Sequence, residues 1–242
     1  NLQDILHNAN IYKLFCNIII MMQEIREILT LQKREIELKL KEKYIERNQD
    51  LKLDNDLIKV IIGPRRAGKS FFALHFLNKK GNFGYINFDD EKLTEIDNYD
   101  GLIGAMNALY NNPKFVLFDE IQNISKWELF VNRLQRQGYN LIITGSNSNL
   151  LSKELATHLT GRHLLTHIFP FSFKEYLKYK DKELTNTEIK EELSNYVHSG
   201  GYPEIVSKKV EVKEYLSLLF DSIMYKDIIK RYKIRNSKLI ED

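Results

Sequence analysis

The chain has 242 residues, 43% hydrophobic and 29% charged, with a formal net charge of +3. That composition supports one large core with a small appendage, and the charge is too small to argue for nucleic acid by itself. A single cysteine, Cys16, excludes an internal disulfide and a cysteine-based zinc cluster, which fits a cytoplasmic protein, and eleven Gly and four Pro leave little room for long disordered linkers.

The chain opens on Asn1, and its first apolar stretch is "IYKLFCNIIIMM", residues 11–22. Lys13 and Asn17 interrupt it, it falls short of the ~20 residues needed to span a bilayer, and no small-residue cleavage site follows. It reads as a helix facing a core or a partner, and no membrane partner is expected. From 23 to about 47 the spacing of Ile25, Ile28, Leu29, Gln32, Ile36 and Leu40 predicts one long amphipathic helix. "RNQDLKLDND" then breaks the pattern.

Short apolar runs follow at 57–62, 83–88, 115–118, 141–144 and 164–169, rich in Ile, Val and Phe. Runs of that length without polar alternation are strands of a parallel sheet covered on both faces. Helical patterns at 70–79, 101–110, 127–137 and 149–158 separate them. The sum predicts an α/β doubly wound, five-stranded parallel sheet flanked by helices. After Phe169 only helical patterns remain, punctuated by the turn "GGYP" at 200–203. Residues 1–46 are therefore expected to form an N-terminal helical extension, 47–170 the α/β core and 171–242 a small all-helical domain.

Between the first strand and its helix lies "GPRRAGKS", which satisfies G-x-x-x-x-G-K-[ST] with Gly63, Gly68, Lys69 and Ser70. Glycines let successive backbone amides face one point, and a helix N-terminus adds partial positive charge, so the loop suits a phosphate. Gly63, Pro64, Arg65, Arg66, Ala67, Gly68, Lys69, Ser70 and Phe71 are the expected nucleotide-binding residues, with Lys69 toward the outer phosphates and Ser70 toward Mg²⁺. "KFVLFDEIQ" ends its strand in Asp119 and Glu120. Asp119 is the second expected Mg²⁺ residue, and Glu120 the group to orient and deprotonate an attacking water. In "LIITGSNS" the polar strand end offers Ser146 and Asn147 to the terminal phosphate or the water. Arg162, just before the last strand, offers charge to phosphoryl transfer, within the chain or across a subunit boundary.

Taken in order, "LIKVIIGPRRAGKSFF", "YINFDDEKL", "VLFDEIQNISKWELFVNRL", "ITGSNSNLLSKELATHLTGR", "FPFSFKEYL" and "GGYPEIV" resemble the archaeal-type family of AAA+ P-loop ATPases, related to the STAND signalling ATPases. The resemblance runs from about Arg26 to Arg235. It implies a Walker A motif at Gly63, Gly68, Lys69 and Ser70, and a Walker B motif at Asp119 and Glu120. It further implies sensor 1 at Ser146 or Asn147, an arginine finger at Arg162, and a helical lid whose Pro203 packs near adenine. Arg47 is placed where such proteins fold chain over the base. ATP and Mg²⁺ are the implied cofactors, and a homo-oligomer or a partner protein the implied company. Family members usually continue beyond the lid, whereas this chain stops at Asp242, so the effector part is expected to be absent or on another chain. No part of the pattern matches the first twenty residues.

The expected function is Mg-dependent ATP hydrolysis coupled to conformational change, with a STAND-like ATP-binding switch or a DNA-associated ATPase as alternatives. A small-molecule kinase fits less well, because Asp119-Glu120 and a lid point to water as the acceptor. Nucleic acid as a partner rests on the basic stretch from Lys226 to Lys238, which reads first as a solvated face or a link to another domain. Trp127 reads as a helix-start aromatic packed on its own domain. Asp89, Asp90 and Glu91 read either as neighbours of the metal or as helix caps. His158, His163 and His167 lack the partners of a metal site.

Overall fold

The apolar runs pair into one sheet because five strands without polar alternation leave no face for water. The computed structural model describes residues 2–96, 98–146, 159, 161–181, 183–208 and 210–229. Strands β1 (Ile58–Gly63), β2 (Phe83–Asn87), β3 (Phe115–Asp119), β4 (Asn140–Ser146) and β5 (His163–His167) are all parallel, in the order β2-β3-β4-β1-β5. The first three are buried along nearly their whole length. β5 departs from the expected buried run: it lies at the sheet edge and Leu165 is 44% exposed.

Crossovers between parallel strands are right-handed almost without exception, and here helices make up most of them. α2 (Lys69–Asn78) links β1 to the far edge strand β2, while α3 (Glu91–Thr94), α4 (Tyr99–Tyr110) and α5 (Trp127–Arg136) accompany the return through β3 to β4. Because the chain leaves β1 toward β2 and later jumps across β1 to β5, a crevice opens at the carboxyl end of β1 and β4, where ligands gather in open α/β sheets. Asp90 caps α3, its side chain accepting from the Lys92 amide, and Asp89 accepts from Asn123. Of the acidic trio, Asp90 is a helix cap. Trp127 is buried at the start of α5 within the central core.

Helix α1 (Leu2–Lys39) ends eight residues before the expected limit of 47. Its apolar stripe, Ile25, Ile28, Leu29 and Ile36, belongs to the central core. Gln32 is buried on the same stripe, and its amide both donates to Asn87 O (3.0 Å) and accepts from Asn87 N (2.9 Å). One side chain thereby closes the free edge of β2 at that residue. Residues 40–47 are good helix formers, and tertiary contacts override that propensity. Tyr44 stacks on His75 of α2 at 4.3 Å, and Arg47 is anchored by partners from three other segments.

Beyond β5 the regular elements among the described residues are helical: α6 (Phe173–Lys180), α7 (Asn186–Ser199), α8 (Pro203–Ser207) and α9 (Val212–Ser222), the last running into a π-helical turn Ile223–Ile229. Ser172 and Thr185 open α6 and α7 with reciprocal capping boxes to Glu175 and Glu188. Gly201 lies so close to Phe171 that a Cβ there would fall 2.0 Å from the Phe171 carbonyl oxygen. That approach, with the Phe171 amide donating to Gly201 O at 2.7 Å, ties the turn before α8 to the end of the sheet. The helix expected over 149–158 lies outside the described residues, as does the basic stretch from 230 onward. Among the described residues, no helix is long and apolar enough to cross a membrane.

Candidate functional site

The loop after β1 is shaped by a close approach at its start. A Cβ on Gly63 would meet Ile168 O at 1.9 Å, because the Ile168 amide bonds back to Ile62 O at 2.8 Å. Only glycine fits at that point. The loop then turns through Arg66 (φ 57°) and Gly68 (φ 91°) into α2, which begins with no side-chain cap on its first amides. Such a helix start leaves donors for an anion. Lys69, 5% exposed, folds its ammonium back on the loop and donates to Gly63 O (3.1 Å) and Pro64 O (3.0 Å).

At the second residue of α2, the Ser70 hydroxyl donates to Asp119 Oδ1 at 2.8 Å. Asp119 ends β3 and is buried; Thr144 of the intervening strand β4 also donates to its Oδ1, and Tyr85 of β2 donates to Oδ2 at 3.1 Å. Burial and the adjacent Asp119 charge hold the Tyr85 phenol well above its ordinary range. Glu120 follows in the left-handed region (φ 51°), uncommon for a residue with a side chain, and its amide donates to Thr144 Oγ1 at 3.2 Å. Gln122 donates to Glu120 Oε2 at 2.5 Å. Burial, then the neighbouring Asp119, raises the Glu120 pKa against the opposing pull of Gln122, Lys69 and Arg65.

Lys69, Ser70 and Glu120 line one end of a cavity of about 540 Å³, within the size range of nucleotide and cofactor sites. Its other walls come from the end of α1 and from α8, including Pro203 and Glu204. A smaller recess of about 70 Å³ shares Gly68, Phe71, Tyr179 and Pro203 with it and adds Tyr44 and Phe171. Arg47 lies beneath that recess, 7% exposed, donating to Ala67 O (2.6 Å), Phe169 O (3.0 Å) and Glu175 Oε2 (3.2 Å), with its guanidinium 4.2 Å from the Phe171 ring. On the opposite wall Arg66 donates to Glu204 Oε2 at 2.6 Å.

The structure thus brings Gly63 through Phe71, Asp119, Glu120 and Pro203 together. Arg162 is elsewhere. It precedes β5 at the register of Ile58, where the Ile58 amide bonds to Arg162 O at 3.0 Å, at the opposite end of the sheet from Gly63. Five strand residues separate the two levels, roughly 16 Å at the usual rise. Asn147 lies outside the described residues, and Ser146 is placed only as the end of β4. The polar side chain that β4 brings to Asp119 is Thr144, which sequence reasoning missed because a threonine in an apolar run reads as core. Tyr85 was hidden in the same way.

A parallel sheet of this strand order, with a glycine-bounded loop, lysine and serine after β1 and the acidic pair Asp119-Glu120 at the end of β3, defines a P-loop type α/β domain. Residues 55–177 match the AAA domain family, and the chain belongs to it: a nucleotide-binding, ATPase-type domain. The chain is 42% identical over 223 residues to the uncharacterized protein MJ1544 of Methanocaldococcus jannaschii, covering 85% of this chain and 49% of that one. It is 35% identical over 214 residues to an uncharacterized protein of Haemophilus influenzae, covering 83% of this chain and 53% of the other. The chain therefore spans about half the length of these relatives. Among solved structures, the Walker-type ATPase PABY2304 of Pyrococcus abyssi aligns with a TM-score of 0.44 and 16% identity, over 81% of this chain and 79% of that one.

Proposed function

We propose that this chain binds Mg-ATP in the 540 Å³ cavity and hydrolyses it, with Glu120 as the general base. The observation that carries the reading is the convergence of Ser70, Asp119, Thr144 and Glu120 beside Lys69, whose ammonium donates to the loop carbonyls of Gly63 and Pro64. The residues fit the group. Ser70 Oγ and Asp119 Oδ1, 2.8 Å apart, are the hard oxygen donors that Mg²⁺ prefers, and the uncapped α2 start and Lys69 suit phosphate. Bound Mg-ATP supplies the phosphoanhydride bond to be broken and a cation that offsets phosphate charge.

The chain's own groups do the rest. Lys69 exchanges carbonyl partners for phosphate oxygens. Thr144 and Tyr85 fix the Asp119 carboxylate, and the Thr144 hydroxyl also holds the Glu120 amide, so both acids share one anchor. Gln122 occupies Glu120 Oε2, which leaves Oε1 to accept a proton from water. The recess between Tyr44, Phe71, Tyr179 and Pro203 takes the base, and residues 171–242 serve as a lid over it.

Calorimetric binding of Mg-ATP, run beside phosphate release for wild type, Lys69→Ala and Glu120→Gln, tests this. Lys69→Ala is expected to weaken binding by about tenfold or more, the worth of a charge-assisted hydrogen bond. Glu120→Gln is expected to bind normally and to lose turnover. Unchanged affinity in Lys69→Ala removes the nucleotide site. Tight binding with no turnover in wild type replaces the hydrolase by an ATP-operated switch.

A further inference from the structure

An ion pair joins the phosphate loop to the C-terminal helices, and it stands in the wall of the nucleotide cavity. Arg66, in the left-handed turn of the loop, donates to Glu204 Oε2 at 2.6 Å, and Glu204 is the second residue of α8, directly after Pro203. Arg66, Lys69 and Glu204 all line the same cavity. Tyr215 of α9 sets its buried hydroxyl beside the pair, and Lys208 of the next turn lies 3.6 Å from Glu204 Oε1.

We infer that Arg66–Glu204 is a latch that an incoming polyphosphate opens, so that Arg66 reports occupancy of the phosphate loop to the helices α8 and α9. The inference rests on the nucleotide reading above and adds the means by which that site is coupled to the rest of the chain. A polyphosphate in this cavity is an anion brought next to the Glu204 carboxylate and within reach of the Arg66 guanidinium. It repels Glu204, and it outcompetes it, because phosphate oxygens carry more charge and accept both guanidinium edges. The existing pair is weak enough to yield: its side chains are 58% and 28% exposed, the range in which ion pairs contribute about 1 kcal/mol or less. Glu204 is not stranded by the loss, since Lys208 and Tyr215 remain beside its carboxylate. The left-handed turn at Arg66 places the arginine between the two anions.

Amide hydrogen exchange over residues 203–222, with and without Mg-ATP, reads the latch directly, and calorimetry reads its cost to binding. In wild type, Mg-ATP is expected to speed exchange in α8 and α9. Glu204→Gln is expected to show that faster exchange without nucleotide and to bind Mg-ATP roughly three- to fivefold tighter, the worth of an exposed pair. Weaker or unchanged affinity in Glu204→Gln, or slower exchange of α8 on adding Mg-ATP to wild type, overturns the latch. The swap Arg66→Glu with Glu204→Arg restores the pair without a phosphate-seeking loop arginine. It is expected to protect α8 both with and without Mg-ATP, and release by nucleotide in the swap also overturns the proposal. Lys69→Ala serves as the separate control: normal binding there sinks the nucleotide site itself, whatever Glu204 does.

Discussion

A carboxylate that takes a proton from water near neutral pH has to hold that proton more tightly than one free in solution. Glu120 meets the requirement through position. Burial and the adjacent Asp119 raise its pKa, while the hydrogen bond from Gln122 lowers it. The sign follows: the base works only when ionised, so the acid limb of turnover is expected above the ordinary glutamate range of about 4.3. Gln122→Ala removes a group that favours the charged form and is expected to move that limb further up. Single-turnover phosphate release across pH reads both, and a limb at or below the ordinary range in wild type removes Glu120 as the base. Thr144 belongs to the same argument, because its hydroxyl serves Asp119 and the Glu120 amide at once.

At the level of elements, the segment between α1 and β1 does more than connect. Arg47 and Glu175 are a buried pair, with side chains 4% and 6% exposed, that joins this segment to α6. Burial raises the Glu175 pKa, but the Ser172 amide and hydroxyl and the Arg47 guanidinium outweigh it, and the net direction is down. The stability linked to a lowered carboxylate is present above its unfolded pKa and is lost as pH falls through the folded one, so this brace is expected to fail only in acid. Arg47→Met leaves Glu175 buried without its cation and is expected to destabilise the nucleotide-free protein by about 3–5 kcal/mol in urea denaturation. Adding Glu175→Met is expected to recover part of that loss, because the unpaired charge goes with it. If the double substitution costs the full sum of the two singles, the pair is not coupled.

The same elements show what was legible in the chain. The strands announced themselves as unbroken apolar runs, and the loop by glycines whose necessity is visible at Gly63, where no Cβ fits beside Ile168. The end of α1 was not legible, because residues 40–47 favour helix locally and are pulled out of it by Tyr44 on His75 and by Arg47 on three partners. Glu175 carried only the signal of a helix start, Ser172 with an acid three residues on, and that signal was true without disclosing the second bond to Arg47. Glu204 had no local signal at all: its partner is 138 residues away. Contacts of that separation depend on how the helices settle on the sheet, and local pattern does not encode them.

At the scale of the whole molecule, the geometry splits the two charges once expected at one site. Lys69 stands at the carboxyl end of β1, and Arg162 at the amino end of β5, held there by the Ile58 amide on its carbonyl. A side chain of arginine length does not cover the five strand residues between those levels. Within one chain Arg162 therefore supplies nothing to the phosphate loop, and the proposal that it acts as an arginine finger survives only across a boundary between copies. Arg162 is exposed, as that arrangement needs. The expectation is concrete: phosphate released per molecule rises with protein concentration in wild type, and Arg162→Ala flattens the rise while leaving Mg-ATP affinity unchanged. Arginine fingers of P-loop GTPases are worth about 10³–10⁵ in rate, so even a partly populated assembly is visible in the concentration series. If wild-type specific activity is flat across concentration while Lys69→Ala and Glu120→Gln behave as expected, the site is complete in one copy. Arg162 is then a surface residue, and the charge that stabilises transfer has to come from the loop's own arginines, of which Arg65 already acts on Glu120.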